Sequence, residues 1–255
     1  TDADTNVAIG ASALTTDTLG SKSVAVGHSA LEAQNFTSAT LTHNTAVGAD
    51  SGKAISTGIF NTIIGSSAGD ALSDADYNVA LGGNSLSTDT KGNKSTAVGY
   101  GALNPQNFTS STDTFNTAVG YAAGNGMSNG TKNTLIGALA GDNITTGNSN
   151  TTIGYNVKTD TAARVGAVAL GNDLGTFAAD NSFRVSGAGG VYNTGNTSAW
   201  NQTSDERIKK NITDSTIGLA EINQIKVRTF EYRTVDEITD SDLQAYDKTQ
   251  IAVDK

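Results

Sequence analysis

The run Ser204-Asp205-Glu206-Arg207-Ile208-Lys209-Lys210-Asn211-Ile212 is the compact cluster of this sequence that could carry out a reaction. A serine hydroxyl becomes a nucleophile when a neutral amine accepts its proton, and Lys209, with cationic neighbours, is the candidate amine for Ser204. On a continuous helix these two residues lie about 140° apart, so a dyad needs a turn or a contact between subunits. The alternative is that Ser204 caps a helix whose first turn holds Asp205 and Glu206.

Three tyrosines form a second candidate set, because each directly follows a glycine of a repeated motif. They are Tyr100, Tyr121 and Tyr155. Exposed aromatic rings can stack on sugars, so these residues are candidate receptor contacts. Their alternative role is to cover a turn or a seam between subunits.

Acidic and metal-binding residues show no comparable grouping. A glycosidase usually needs two carboxylates at a defined separation, whereas the acids here are scattered over predicted loops, as at Asp17, Asp70, Asp89 and Asp142. The sequence has two histidines and no cysteine, which are too few for a typical zinc cluster. We expect no cofactor and no metal.

A repeated pentapeptide of the type Asn-Thr-Ala-Val-Gly must position these candidates. It ends at ten glycines, spaced 17 or 21 residues apart: Gly10, Gly27, Gly48, Gly65, Gly82, Gly99, Gly120, Gly137, Gly154 and Gly171. A longer period of 72 residues repeats the string Gln-Asn-Phe-Thr-Ser at 34 to 38 and at 106 to 110. The repeat predicts a mostly β fold, a parallel β-roll or β-helix solenoid of about ten coils with a duplicated block.

The pentapeptide also predicts details of each coil. We expect two short strands and two turns per coil, the aliphatic residue before each glycine pointing inward, and a turn at the glycine. Seven of the ten pentapeptides begin with Asn. These residues predict a ladder of side-chain amides that hydrogen-bond to the backbone groups of the turns. A coil this narrow buries little apolar area, so we expect a homotrimer.

Composition changes sharply near residue 204. Residues 1 to 203 carry 28 of the 29 glycines, whereas residues 204 to 255 carry 19 charged residues in 52 positions. We therefore predict a repeat domain at 1–171, a neck at 172–203 and a separate segment at 204–255. That last segment combines helical and strand patterns, which indicates an α+β fold that is cut short.

Charge and hydropathy exclude several classes of protein. The net charge is −9, which argues against a protein that binds nucleic acid through phosphate contacts. No apolar run approaches the roughly 18 residues of a membrane helix, and no signal peptide is visible at the start. We expect a soluble fragment with no nucleic-acid partner and no membrane insertion.

The string SDERIKKNI resembles the start of the intramolecular chaperone domain of phage tail fibres and tailspikes, the peptidase S74 family. Repeats similar to NTAVGY and NTLIG commonly precede that domain. The resemblance implies a trimeric chaperone that releases itself, with Ser204 as nucleophile, Lys209 as its partner and Ser204–Asp205 as the scissile bond. It further implies a virion fibre or spike for host attachment, assembled in the host cytoplasm, whose partners are other tail proteins and a host receptor, with a glycan as one candidate.

Two other functions remain open. The repeats more loosely resemble the β-roll heads of bacterial trimeric adhesins, although the Ser-Asp motif argues against an adhesin. A glycan-degrading β-helical tailspike is the second alternative, against which the scattered acids argue.

Overall fold

A computed structural model describes residues 4–159, 161–173 and 180–185, together with the backbone of 192–193. In these residues the chain is a parallel β-solenoid of about ten coils, and no helix is present. Each of the ten coils contributes one three-residue strand to a sheet that β15 and the two-residue β16 extend to twelve strands. The sheet is parallel except where β16 pairs antiparallel with β15. The strands of this sheet are β1 Val7–Ile9, β3 Val24–Val26, β5 Thr45–Val47, β6 Thr62–Ile64, β7 Val79–Leu81, β9 Thr96–Val98, β11 Thr117–Val119, β12 Thr134–Ile136, β13 Thr151–Ile153, β14 Val168–Leu170, β15 Phe183–Val185 and β16 Tyr192–Asn193.

The expectation of two strands in every coil is wrong. Second strands form only two small parallel pairs in the described residues, next to the 21-residue coils: β2 Gly20–Ser21 with β4 Thr40–Leu41, and β8 Gly92–Asn93 with β10 Thr112–Asp113. Elsewhere the coil turns repeatedly through left-handed backbone conformations, as at Phe115, Ala122 and Gly124 with φ of 51°, 52° and 68°. Such residues bend the chain too tightly for a second regular strand.

The strand side chains point opposite to the expected direction. In the sheet strands from β3 to β14 the middle residue is fully buried, as at Ala118 and Leu135, whereas Val119 and Ile136 before the glycines are 37% and 38% exposed. Alternation along a strand puts the first and third residues on one face, and the narrow interior accepts the small middle residue. Where that residue is large, glycine makes room: a Cβ on Gly124 would lie 2.8 Å from Leu135 Cδ1.

The predicted ladder of asparagines is confirmed. Asn133 is fully buried; its Nδ2 donates to the carbonyl of Gly147 at 2.8 Å, and its Oδ1 accepts from the backbone N–H of Asn150 at 2.9 Å. The same pattern recurs at Asn44, Asn61, Asn78 and Asn116. Each Asn therefore closes its own coil and binds the next coil.

The two 21-residue coils interrupt this ladder with a second polar network. Ser95 stands where other coils have Asn, and Gln106 compensates: its Nε2 donates to Ser95 Oγ at 2.9 Å and to Asp89 Oδ2 at 2.5 Å. Its Oε1 accepts from Asn116 at 2.8 Å. Gln34 makes equivalent bonds with Asp17, Ser23 and Asn44 in the first block. The repeated Gln-Asn-Phe-Thr-Ser string thus supplies a buried glutamine.

The predicted α+β segment at 204–255 lies outside the described residues, and trimerisation stays a prediction. Within the described part of the chain, no helix has the length and apolarity needed to cross a membrane.

Candidate functional site

The three candidate tyrosines lie on one outward row of the solenoid. Backbone bonds of 2.9 Å, from Ala122 N–H to the carbonyl of Tyr100 and from Leu139 N–H to that of Tyr121, show that these positions stack coil on coil. The rings of Tyr100 and Tyr121 stack with centroids 5.9 Å apart and planes 11° apart. We call Tyr100, Tyr121, Ala138 and Tyr155 the tyrosine row; its three tyrosines are 55% to 59% exposed.

The glycine before each tyrosine explains this exposure. Gly120 has φ of +138°, and a Cβ there would lie 2.6 Å from the carbonyl carbon of Gly137 in the next coil. Only glycine permits that close approach of two backbones. The chain then turns sharply, and the following residue projects from the surface.

A second aromatic row was missed by the sequence analysis. We call it the front row, since its members directly precede the pentapeptide: His43, Phe60, Tyr77, Lys94 and Phe115. The His43 and Phe60 rings stack at 4.7 Å, and the Phe60 and Tyr77 rings stack at 5.3 Å. Lys94 Nζ lies 5.3 Å from the centroid of Phe115 and 2.5 Å from Asp113 Oδ2. Aligning the coils by their glycines would have revealed this row.

The front row has an unusual backbone. Its five residues have φ between 51° and 59°, a left-handed conformation that costs bulky side chains roughly 1–2 kcal/mol each. Glycine avoids this cost, and Gly166 occupies the equivalent position of a later coil with φ of 68°. The same backbone conformation recurs at this position in other coils, as at Lys22, Lys132 and Ser149. It is therefore a property of the coil, and the stacked rings are what make the row a candidate contact surface.

The outward face of the strands forms an apolar surface, which we call the outer sheet face. It consists of the first and third residues of each strand. The exposed members are Val7, Ile9, Val79, Leu81, Val119, Ile136 and Ile153, with 36% to 61% of each residue accessible. The third position is aliphatic in all ten coils, whereas the first position is Thr in six of them. Exposed aliphatic residues that recur along one face are typical of a site of association.

The scattered acids have structural contacts. Asp89 is buried, which raises the pKa of its carboxyl group, although Gln106, Phe108 and Gly92 donate hydrogen bonds to it. Burial also raises the pKa of Asp70. Asp142 forms an ion pair with Lys158 at 3.1 Å.

Ser204 and Lys209 lie outside the described residues, so their dyad stays a prediction. Residues 204–249 match the family model of peptidase S74, described as the chaperone of endosialidase. This segment is similar to the chaperone domains of the peptidase S74 family. No curated protein and no solved structure matches the chain significantly.

The match confirms the resemblance found in the SDERIKKNI string. A parallel solenoid followed by a peptidase S74 segment fits a phage tail fibre or tailspike with a C-terminal chaperone domain. The family is one of phage tail proteins, which suggests a virion component.

Proposed function

We propose that this protein is a trimeric virion fibre or spike segment that attaches to the host. Its peptidase S74 segment guides assembly and then cleaves the chain between Ser204 and Asp205. The observation that carries this proposal is the match of residues 204–249 to the chaperone family in a chain whose preceding residues form a solenoid.

The solenoid itself explains why a chaperone is needed. The side-chain oxygen of each ladder Asn accepts a hydrogen bond from a backbone N–H of the next coil. The distance is 2.8 to 2.9 Å, as at Asn44, Asn78 and Asn133. A misplaced coil can therefore satisfy much of the same pattern, so incorrect registers compete with the native one. A domain that associates first restricts the chains to one register.

The outer sheet face supports association into a trimer. Ile136 and Ile153 lie on it in successive coils, paired in register through β12 and β13. Burying apolar surface contributes about 25 cal/mol per Å², and this face runs along many coils. Three copies that direct their outer sheet faces toward a common axis would remove these side chains from water.

The cleavage step assigns roles to two residues by resemblance. Ser204 is the nucleophile, and Lys209 accepts the proton of its hydroxyl group as an ester forms. The bond to the nitrogen of Asp205 breaks, the Asp205 amine leaves with the proton from Lys209, and water hydrolyses the ester to a carboxylate. Cleavage after assembly would leave the trimeric solenoid without the segment that guided it, so the product would persist kinetically.

The experiment is the intact mass of the product expressed from the full reading frame. We expect the wild type to yield a fragment ending at Ser204, and we expect Ser204→Ala and Lys209→Ala to remain whole. Ser215→Ala is a matched control within the same segment and should be cleaved like the wild type. An uncut wild-type chain, or a cut Ser204→Ala chain, would contradict self-cleavage.

A further inference from the structure

The tyrosine row contains a gap one coil wide. Tyr121 and Tyr155 belong to coils that are separated by the coil of Ala138, and the backbone N–H of Asn156 donates to the carbonyl of Ala138 at 2.9 Å. Since paired strands are about 4.8 Å apart, the two tyrosine positions lie roughly 10 Å apart. Ala138 contributes only a methyl group between them.

The two sides of the tyrosine pair differ. Tyr100 packs over Gly83, where a Cβ would lie 3.4 Å from its Cδ2 atom, and its ring stacks on Tyr121. On the side of Ala138, no described ring lies within stacking distance of Tyr121. The gap is therefore open between one face of Tyr121 and the position of Tyr155.

The front row also has one coil without an aromatic ring between two coils that have one, and there the side chain of that coil is a cation. Lys94 occupies the coil between Tyr77 and Phe115, and its ammonium group lies 5.3 Å from the centroid of Phe115 and 2.5 Å from Asp113 Oδ2, so one ring and one carboxylate hold it there. A cation midway between two rings about 10 Å apart lies about 5 Å from each ring, within the roughly 6 Å range of a cation–π interaction. The dimensions of such a gap therefore suit an alkylammonium group.

We propose that the gap between Tyr121 and Tyr155 binds an alkylammonium group of a host-surface ligand, such as a choline-type headgroup. The net charge of −9 favours a cationic ligand over an anionic one. A neutral sugar ring could stack in the same space, but it would lack the electrostatic attraction between an ammonium group and the faces of the tyrosine rings. This inference deepens the attachment function proposed above and rests on it for its biological role.

The experiment titrates choline chloride into the full-length protein, against sodium chloride at equal ionic strength, and follows the ring protons of Tyr121 and Tyr155 by NMR. Binding should be saturable and should weaken at least tenfold in Tyr155→Ala. It should weaken similarly in Ala138→Lys, because the new lysine would fill the gap as Lys94 does. Two control variants should retain binding: Ala138→Ser, and Ala49→Lys at the equivalent position of a coil without flanking tyrosines.

Three results would overturn the proposal. The first is the absence of saturable choline binding, and the second is equal binding of methyl glucoside, which would indicate a neutral-ring site. The third is unchanged choline binding in both Tyr155→Ala and Ala138→Lys, which would mean that choline binds elsewhere on the protein. Adsorption to host cells separates the two proposals: if Tyr155→Ala impairs adsorption although choline does not bind, attachment stands and the ligand class is wrong.

Discussion

Buried polar side chains connect neighbouring coils of this solenoid. Asn133 shows the principle, since one amide group bonds to Gly147 in its own coil and to Asn150 in the next. Removing such a group leaves a buried carbonyl and a buried N–H without partners, at a cost of about 1–3 kcal/mol for each. The fold therefore depends on single side chains that recur once per coil.

We predict that Asn133→Ala lowers the free energy of unfolding by at least about 2 kcal/mol, because it removes both bonds. Urea denaturation of wild type and variant measures the change. Asn129→Ala is the matched control, since Asn129 is exposed near the end of the preceding coil and should change stability little. Equal effects of the two variants would show that the ladder does not stabilise the coils.

The contributions of Asp89 and Asp113 to stability should change with pH in opposite directions. Burial raises the pKa of Asp89, so its contribution to stability is fully present below its ordinary pKa and is lost as pH rises through the raised value. The hydrogen bond from Lys94 lowers the pKa of Asp113, so its contribution is present above the ordinary pKa and is lost as pH falls through the lowered value.

The measurement is the difference in unfolding free energy between wild type and each Asp→Asn variant as pH falls from 7. As the pH falls from 7 towards 3.8, the ordinary pKa of the group, the unfolding free energy of the wild type should rise relative to that of Asp89→Asn. The wild type should lose stability relative to Asp113→Asn as pH falls through and below that value. Slopes of the same sign for both residues would contradict the assignments.

At the scale of the element, the glycine after each strand sets how closely coils stack. Gly137 has φ of +123°, and a Cβ there would lie 2.6 Å from the carbonyl carbon of Gly154 in the next coil. Gly101 differs, because its φ is +65° and a Cβ there would meet nothing within 4 Å. The first position requires glycine for two reasons, backbone conformation and close contact, and the second for conformation alone.

We therefore predict that Gly137→Ala is much more destabilising than Gly101→Ala. Left-handed backbone costs an alanine at position 101 roughly 1–2 kcal/mol, whereas alanine at 137 also displaces the neighbouring coil. Thermal and urea unfolding of both variants measure the difference. Similar losses at the two positions would show that coil stacking does not depend on the contact at Gly137.

At the scale of the whole molecule, the outer sheet face is the proposed contact between copies. Exposed Ile136 lies in the middle of this face, whereas exposed Leu41 lies on β4, outside the twelve-stranded sheet. A charge placed at a buried subunit contact costs far more than the same charge on a free surface. The two residues thus form a matched pair for testing the proposed trimer.

We predict that Ile136→Lys dissociates the trimer and that Leu41→Lys does not. Sedimentation equilibrium measures the mass, in a Ser204→Ala background so that cleavage does not change it. The parent chain should sediment at three times its mass of 25.9 kDa. A monomeric parent chain, or a trimeric Ile136→Lys variant, would remove the outer sheet face as the subunit contact.

The sequence alone determined the period of the solenoid, its parallel strands, the ladder of asparagines and the family of residues 204–249, because each is written as a local pattern with fixed spacing. It did not determine which strand face is buried: the residues of Thr117–Val119 and Thr134–Ile136 are apolar or small on both sides, and alternation alone cannot choose between them. Only the tertiary structure showed that the narrow interior takes Ala118 and Leu135 and leaves Val119 and Ile136 outside. Stacking of coils also created the front row and the gap beside Tyr121, because it brings residues 17 or more positions apart into contact.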